Sequence, residues 1–238
     1  MQMAYFTENP GRSLPDYVKE GAKTRNFSPY AHNGGSVIAL AGDDFCVIAA
    51  DTRLSTGFSI YTREQEKLFT LSDTTILGCS GCWCDTITLT RLLAALMQKY
   101  RHEHQKEMTT PAVAQMLSTV LYYKRFFPYY VINIVGGIDS KGKGCVYSYD
   151  PVGHCELAKY RAGGSAGALL QPLLDNQIGY ANQEGVEPVP LTQEKAVAVI
   201  KDVFISAAER DIYTGDSISI KVVTKDGIKE SSFPLRKD

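Results

Sequence analysis

The chain has 238 residues, 44% of them hydrophobic and 21% charged, with 25 Lys and Arg against 26 Asp and Glu. That length accommodates a single domain with a sizeable core, and a formal net charge of −1 leaves no footprint for nucleic acid or for a basic membrane face. No stretch approaches the roughly 18 consecutive apolar residues of a membrane span, and the opening residues, with Glu8, Asn9, Pro10 and Gly11, lack the apolar run of a secretory signal.

Residues 1–34 read as an irregular arm rich in Pro and Gly, with scattered Phe6, Tyr17, Phe27 and Tyr30. The domain proper is expected over 35–238. Ser36–Leu40 and Phe45–Ala50 are short apolar runs around Ala41-Gly42-Asp43-Asp44, the pattern of a hairpin. Lys67–Leu71 and Thr74–Ser80 form a second pair. The period then changes: Leu89, Leu92, Leu93, Leu96, Met97 and Tyr100 predict an amphipathic helix over 85–101. Thr110 and Pro111 open a second helix over 111–125. Strands return at Tyr130–Ile138, Cys145–Tyr149 and His154–Tyr160. Ala162-Gly163-Gly164-Ser165 then feeds a helix over 166–177, and the polar stretch 182–190 is a loop. Thr192 caps a last helix over 193–210, and Ser217–Val223 and Ile228–Phe233 make a closing hairpin around Lys225-Asp226-Gly227. Hairpins alternating with paired helices predict an α+β fold: a four-layer αββα sandwich of two stacked antiparallel sheets flanked by helix pairs.

Cys46, Cys79 and Cys145 lie in strand-like runs and read as buried thiols. Cys79, Cys82 and Cys84 lack a second ligand pair at metal-site spacing, so neither a metal nor a cofactor is expected. His102 and His104 fall in a charged helix end, and His32 and His154 have no evident Ser or Cys partner. Asp51, Arg53, Lys67, Arg210, Asp211, Thr214 and Asp216 sit at element ends. Such residues are either solvated and locally paired, or a network in which Lys67 and Asp51 tune a nucleophile.

A specific resemblance bears on that choice. Asn33-Gly34-Gly35-Ser36, Ala49-Ala50-Asp51-Thr52-Arg53, Gly78-Cys79-Ser80-Gly81, Arg125-Phe126-Phe127-Pro128-Tyr129-Tyr130, Asp150-Pro151-Val152-Gly153, Leu174-Asp175-Asn176-Gln177 and Glu209-Arg210-Asp211-Ile212-Tyr213-Thr214-Gly215-Asp216 stand in this order. From about residue 28 to its end the chain resembles the proteasome β subunits, members of the N-terminal nucleophile hydrolases. Active members cut a Gly–Thr bond to free a threonine, whose hydroxyl attacks the peptide carbonyl with its own amine assisting. The resemblance implies that Asp51 and Lys67 match the supporting aspartate and lysine, and that Asp211 matches the later aspartate. It also implies that Thr214 replaces the accompanying serine, and that Gly164 falls where active members carry an assisting serine.

Gly35 departs from that pattern: it occupies the threonine position and offers no hydroxyl. The resemblance therefore implies a vestigial site made of Gly35, Asp51, Lys67, Gly164, Asp211 and Thr214 in a non-catalytic structural subunit. Its expected partners are other β subunits in the same and opposite ring, α subunits and, indirectly, regulatory particles. The expected location is cytoplasm and nucleus, in ubiquitin-dependent protein degradation. The enzymatic alternative is a threonine- or serine-type peptidase subunit using Ser36, one residue short of the family's spacing to Lys67. Adjacent strand side chains face opposite ways, so Ser36 is expected to point away from Lys67 if residue 35 points toward it. A freestanding binding domain is the third class.

Overall fold

The computed structural model describes residues 27–187 and 189–238; the expected arm up to position 26, and Pro188 in the expected loop, lie outside the described residues. Strands β1 (Ser36–Ala41) and β2 (Cys46–Asp51) form the first hairpin, with Val37 opposite Ala50 and Ala41 opposite Cys46. A short pair follows, β3 (Leu54–Thr56) and β4 (Ser59–Thr62). Next come β5 (Leu68–Ser72) and β6 (Thr75–Gly81), then helices α1 (Trp83–His104) and α2 (Thr110–Tyr123). Strands β7 (Val131–Ile138), β8 (Gly144–Tyr149), β9 (Cys155–Ala158) and β10 (Tyr160–Gly164) lead to α3 (Gly167–Gln177) and α4 (Gln193–Ala208). The hairpin of β11 (Ser217–Thr224) and β12 (Gly227–Pro234) closes the order.

One five-stranded sheet runs β10-β1-β2-β11-β12 and the other β5-β6-β7-β8-β9, with every pairing antiparallel. Side-chain alternation sorts the core into three layers. Ile38, Leu40, Val47 and Ala49 leave the first sheet toward Leu170, Leu174, Ile200 and Phe204 of α3 and α4. Their neighbours Val37, Ala39, Cys46 and Ile48 point the other way, onto Leu68, Ile76, Ile134 and Val146 of the second sheet. Leu77, Cys79, Val131 and Val135 then meet Leu89, Leu93, Leu117 and Leu121 of α1 and α2. Both faces of β2 are therefore buried, which is why its sequence is continuously apolar. The four-layer αββα sandwich is the fold that the pattern of hairpins and paired helices predicts.

Three local expectations are corrected. The single strand over 154–160 is two strands in different sheets: β9 pairs with β8 and β10 with β1, the chain crossing between layers at Lys159. The segment 162–165 continues β10 as far as Gly164 before the helix starts. Thr110 is the first residue of α2, following Thr109 at the cap; its hydroxyl is taken by Thr75 Oγ1 and by the Ile138 carbonyl, each at 2.7 Å. At α4, the Thr192 side chain accepts from Lys195 N, as a cap does.

Candidate functional site

The sandwich brings three chain segments together at the start of β1: the turn Asn33–Gly35, the end of β2 at Asp51, and Lys67 immediately before β5. Gly35 immediately precedes β1, and the direction of a side chain there is set by what its Cβ would meet. Gly35 lies at φ +89, and a Cβ on it would overlap the Lys67 ammonium nitrogen and stand 2.7 Å from Lys67 Cε and 3.0 Å from Asp51 Oδ1. The lysine head thus fills the volume a side chain of residue 35 would need. Lys67 Nζ donates to Asp51 Oδ1 at 2.8 Å and to the Arg53 carbonyl at 2.6 Å. Asp51 Oδ1 also accepts from Ser36 N at 2.8 Å, and its Oδ2 accepts from Arg53 N at 3.2 Å and Gly215 N at 3.4 Å.

Lys67 is 2% exposed and Asp51 fully buried. Burial pushes the Lys67 amine down and the Asp51 carboxyl up, and each partner's charge opposes the other's shift. Three main-chain N–H donors on the carboxylate and a carbonyl on the ammonium favour the ionic form of both.

A hydroxyl network lies on the other face of β1. Asp211 Oδ2 accepts from Ser165 Oγ and from Thr214 Oγ1, both at 2.6 Å. Thr214 Oγ1 is 2.8 Å from Ser36 Oγ. A carboxylate only accepts, so the threonine proton goes to Asp211 and the Ser36 proton to Thr214. Ser36 Oγ in turn accepts from Ala166 N at 3.0 Å, at the start of α3. Ser36 therefore points away from Lys67, and its hydroxyl is committed on both its donor and acceptor sides with no base beside it.

The six expected site residues fall into two groups. Gly35, Asp51 and Lys67 meet around the lysine ammonium, while Asp211 and Thr214 join Ser36. Gly164 bridges neither group. At φ +95, a Cβ on it would overlap the Gly35 carbonyl and crowd Ser80 Oγ at 2.8 Å, so no side chain fits at 164. The hydroxyl expected to be missing there is supplied one residue later. Ser165 N donates to Gly35 O at 2.9 Å, and Ser165 Oγ lies 3.3 Å from the same oxygen. The signal for Ser165 was in the sequence, since it closes the stretch Ala162–Ser165, but the choice between two adjacent positions needs the backbone geometry.

Sequence reasoning also missed Asn33. Asn33 N donates to Gly81 O at 3.1 Å, and Asn33 Nδ2 to Thr56 Oγ1 at 2.9 Å and Ser55 O at 3.3 Å. Its Oδ1 accepts from Trp83 N at 2.9 Å, which caps α1 where Cys82 provides no side-chain cap. Ser80 Oγ holds the Gly34 and Gly35 carbonyls at 3.1 and 2.6 Å. The chain before Gly35 is thereby built into the site. Cys79 gives its thiol to Asn133 Oδ1 at 3.4 Å, and among the described residues no three acidic, cysteine or histidine side chains converge as a ligand set.

A four-layer αββα sandwich that gathers a buried lysine and aspartate at the residue opening its first strand has the architecture of the N-terminal nucleophile hydrolases. Comparison of the sequence narrows this class. The chain belongs to the proteasome subunit family, whose profile, described as "Proteasome subunit", matches residues 31–223. Proteasome subunit beta type-1 of Drosophila melanogaster is 61% identical over 227 residues, covering 94% of this chain and 97% of that protein. The protein of the same name from Danio rerio is 58% identical over 225 residues, at 94% and 95% coverage, and that from Arabidopsis thaliana 48% over 217, at 90% and 97%.

Proposed function

We propose that this chain is a non-catalytic β subunit of the proteasome core, of the type named in these relatives, which helps build the rings and wall the degradation chamber. One observation carries the proposal: residue 35, where the nucleophile of an active member would stand, is a glycine whose side-chain volume is filled by the Lys67 head. With no hydroxyl or thiol there, Lys67 and Asp51 have nothing to activate, and they serve as a buried ion pair joining β1, β2 and β5. Ser36 does not replace the missing group, because its hydroxyl is turned to Thr214 and Ala166 on the opposite face.

The partners in this reading are β subunits of the same and the opposite ring and the α subunits above. Regulatory particles are reached only through those neighbours. The work is done in cytoplasm and nucleus, within the degradation of ubiquitin-tagged proteins. Native mass spectrometry of the purified particle tests it. The chain is expected at a fixed stoichiometry, with residues Asn33 and Gly34 still attached to Gly35. Recovery only as a free monomer, or as a chain beginning at Gly35 or Ser36, contradicts it.

A further inference from the structure

A cleft of about 780 Å³ opens at the end of the sandwich away from Gly35, where the chain crosses between the sheets at Lys159. Gly35 precedes the first residue of β1, and Ala41, which lines the cleft, is the last. The length of a six-residue strand, roughly 20 Å, therefore separates the two places. The floor is fixed by main chain. Ala41 N donates to Lys159 O at 2.7 Å, and Gly144 packs so closely on the turn between β1 and β2 that a Cβ on it would overlap the Phe45 carbonyl. Leu157, Ile178, Val189 and Leu191 give the cleft apolar walls, with Leu157 at 69% and Val189 at 62% exposure near its mouth. A volume of this size with apolar walls and a few polar groups is the form that small-molecule sites take.

The polar groups in the cleft are mainly donors. Tyr180 lines it in a left-handed backbone conformation, φ +53, and Asn182 follows at φ +60. Non-glycine residues held there carry strain and concentrate at ligand clamps. Hydrogen bonds pin this turn: Gly179 N to Leu174 O at 3.1 Å, Ala181 N to Asp175 O at 2.9 Å and Gln183 Nε2 to Asn176 O at 2.9 Å. Lys195 Nζ donates to the Tyr180 hydroxyl at 2.7 Å and stands 5.2 Å from the ring centroid, which holds the phenol below the ordinary tyrosine value. An ammonium only donates, so the phenol oxygen accepts, and its own proton has no acceptor among the described residues. Lys143 and Lys159 also line the cleft and form no ion pair among the described residues. Of the two acids there, Asp139 is committed to its own turn: its Oδ1 accepts from Lys141 N at 2.8 Å and Lys143 N at 2.9 Å, with the Lys141 charge beside it. Asp43 is left to face the ammoniums of Lys143, Lys159 and Lys195, so the cleft carries an excess of positive charge.

We propose that this cleft binds a small amphipathic carboxylate, its aromatic or branched apolar body against Leu157, Ile178 and Leu191, its carboxylate taken by the Tyr180 hydroxyl, and Lys143 and Lys159 supplying the countercharge. A carboxylate only accepts hydrogen bonds, which matches a phenol with a proton to give, and a bond to an ionised acceptor is stronger than one between neutral groups. The site is preformed, because both the floor and the Tyr180 turn are held by main-chain hydrogen bonds before anything binds. The proposal goes beyond the non-catalytic reading and uses none of the residues around Gly35.

The test is photolabelling of the native particle with 4-benzoylbenzoate, an aromatic carboxylate, followed by peptide mass mapping. Saturable adducts are expected on the peptides that carry Leu157 and Tyr180–Leu191. 4-Phenylbutyrate is expected to displace the label at about one tenth of the concentration its neutral amide requires, the difference a charge-assisted hydrogen bond makes. Inorganic phosphate, which has the charge without the apolar body, is expected to leave the label in place. Tyr180→Phe keeps the ring and is expected to cut labelling about tenfold. Labelling of these peptides that does not saturate, or none at all, overturns the proposal, and a neighbour covering the cleft in the particle gives that result. Displacement by the amide as readily as by the acid, displacement by phosphate, or undiminished labelling of Tyr180→Phe each overturns the assigned chemistry. Recovery of the chain outside any particle is seen by mass before photolysis and defeats the proposed function instead; the same labelling, run on that form, still decides the cleft.

Discussion

Lys67 Nζ meets Asp51 Oδ1 at 2.8 Å inside the volume that a side chain on residue 35 would occupy. The ion pair and the missing side chain are therefore one feature. Removing the lysine head by Lys67→Ala strips a fully buried carboxylate of its only charged partner among the described residues. The expected cost is about 3–5 kcal/mol of stability, the range for breaking a buried pair from one side. Chemical denaturation of the variant reads that loss. On the proposed non-catalytic role, the peptidase activities of particles that do assemble with it are expected to match those of the parent.

Gly35→Thr restores the hydroxyl in composition and not in place. The new Cβ overlaps Lys67 Nζ, and φ +89 is a region that β-branched residues avoid. Self-cleavage after Gly34 and labelling by a threonine-directed electrophile are both expected to fail, and assembly is expected to fall with the strain. Intact mass of the variant chain checks the first point: a chain starting at residue 35 would show that the lysine moves aside and a working geometry forms.

Asn33→Ala removes three side-chain hydrogen bonds at once, including the one that caps α1. Loss of a cap alone costs about 1 kcal/mol, and the two bonds to the β3–β4 pair add to it. Limited proteolysis is expected to cut the variant between residues 27 and 34 several times faster than the parent, and the fold of 36–238 is expected to survive. Equal cutting rates would show that the segment is held by Tyr30, by Ser80 and by the Asn33 main chain instead.

Asp216 offers a pH signature. Burial acts to raise its carboxyl, but hydrogen bonds and charge from Arg53 and Arg63 outweigh that and leave it below the ordinary carboxylate value. A group whose folded value is depressed contributes stability above its unfolded value and loses it as pH falls through the folded one. The parent's advantage over Asp216→Asn is therefore expected to be constant from neutral pH to about 5 and to shrink below about pH 4. A denaturation series over that range checks the sign; an advantage that grows toward acid would reverse it.

The sandwich was legible because its layers follow period. Alternation in β1 sends Ile38 and Leu40 to the helices and Val37 and Ala39 to the facing sheet, and the four helices begin and end within about three residues of the positions their apolar spacing predicts. The β3–β4 pair was not legible. Leu54–Thr56 and Ser59–Thr62 are short, mostly polar and turned by Gly57, so no period shows. The split of 154–160 was hidden for a related reason, because an unbroken run of side chains does not reveal a change of sheet.

At the site, strand alternation predicts that Ser36 turns away from Lys67, and the structure shows its hydroxyl on Thr214 and Ala166. Ser165 and Asn33 were missed because their importance comes from main-chain atoms distant in sequence, Gly35 O for one and Trp83 N for the other.

The central claim is that this chain carries no working nucleophile, and adduct mapping tests it most directly. Particles containing the unmodified chain are treated with a threonine-directed electrophile, digested and read by peptide mass. The account predicts an unmodified peptide across Gly34–Gly35–Ser36 with its backbone intact, and no adduct on Lys67 or Ser165. An adduct on Ser36, or on any group around Lys67, that disappears in Lys67→Ala would contradict it.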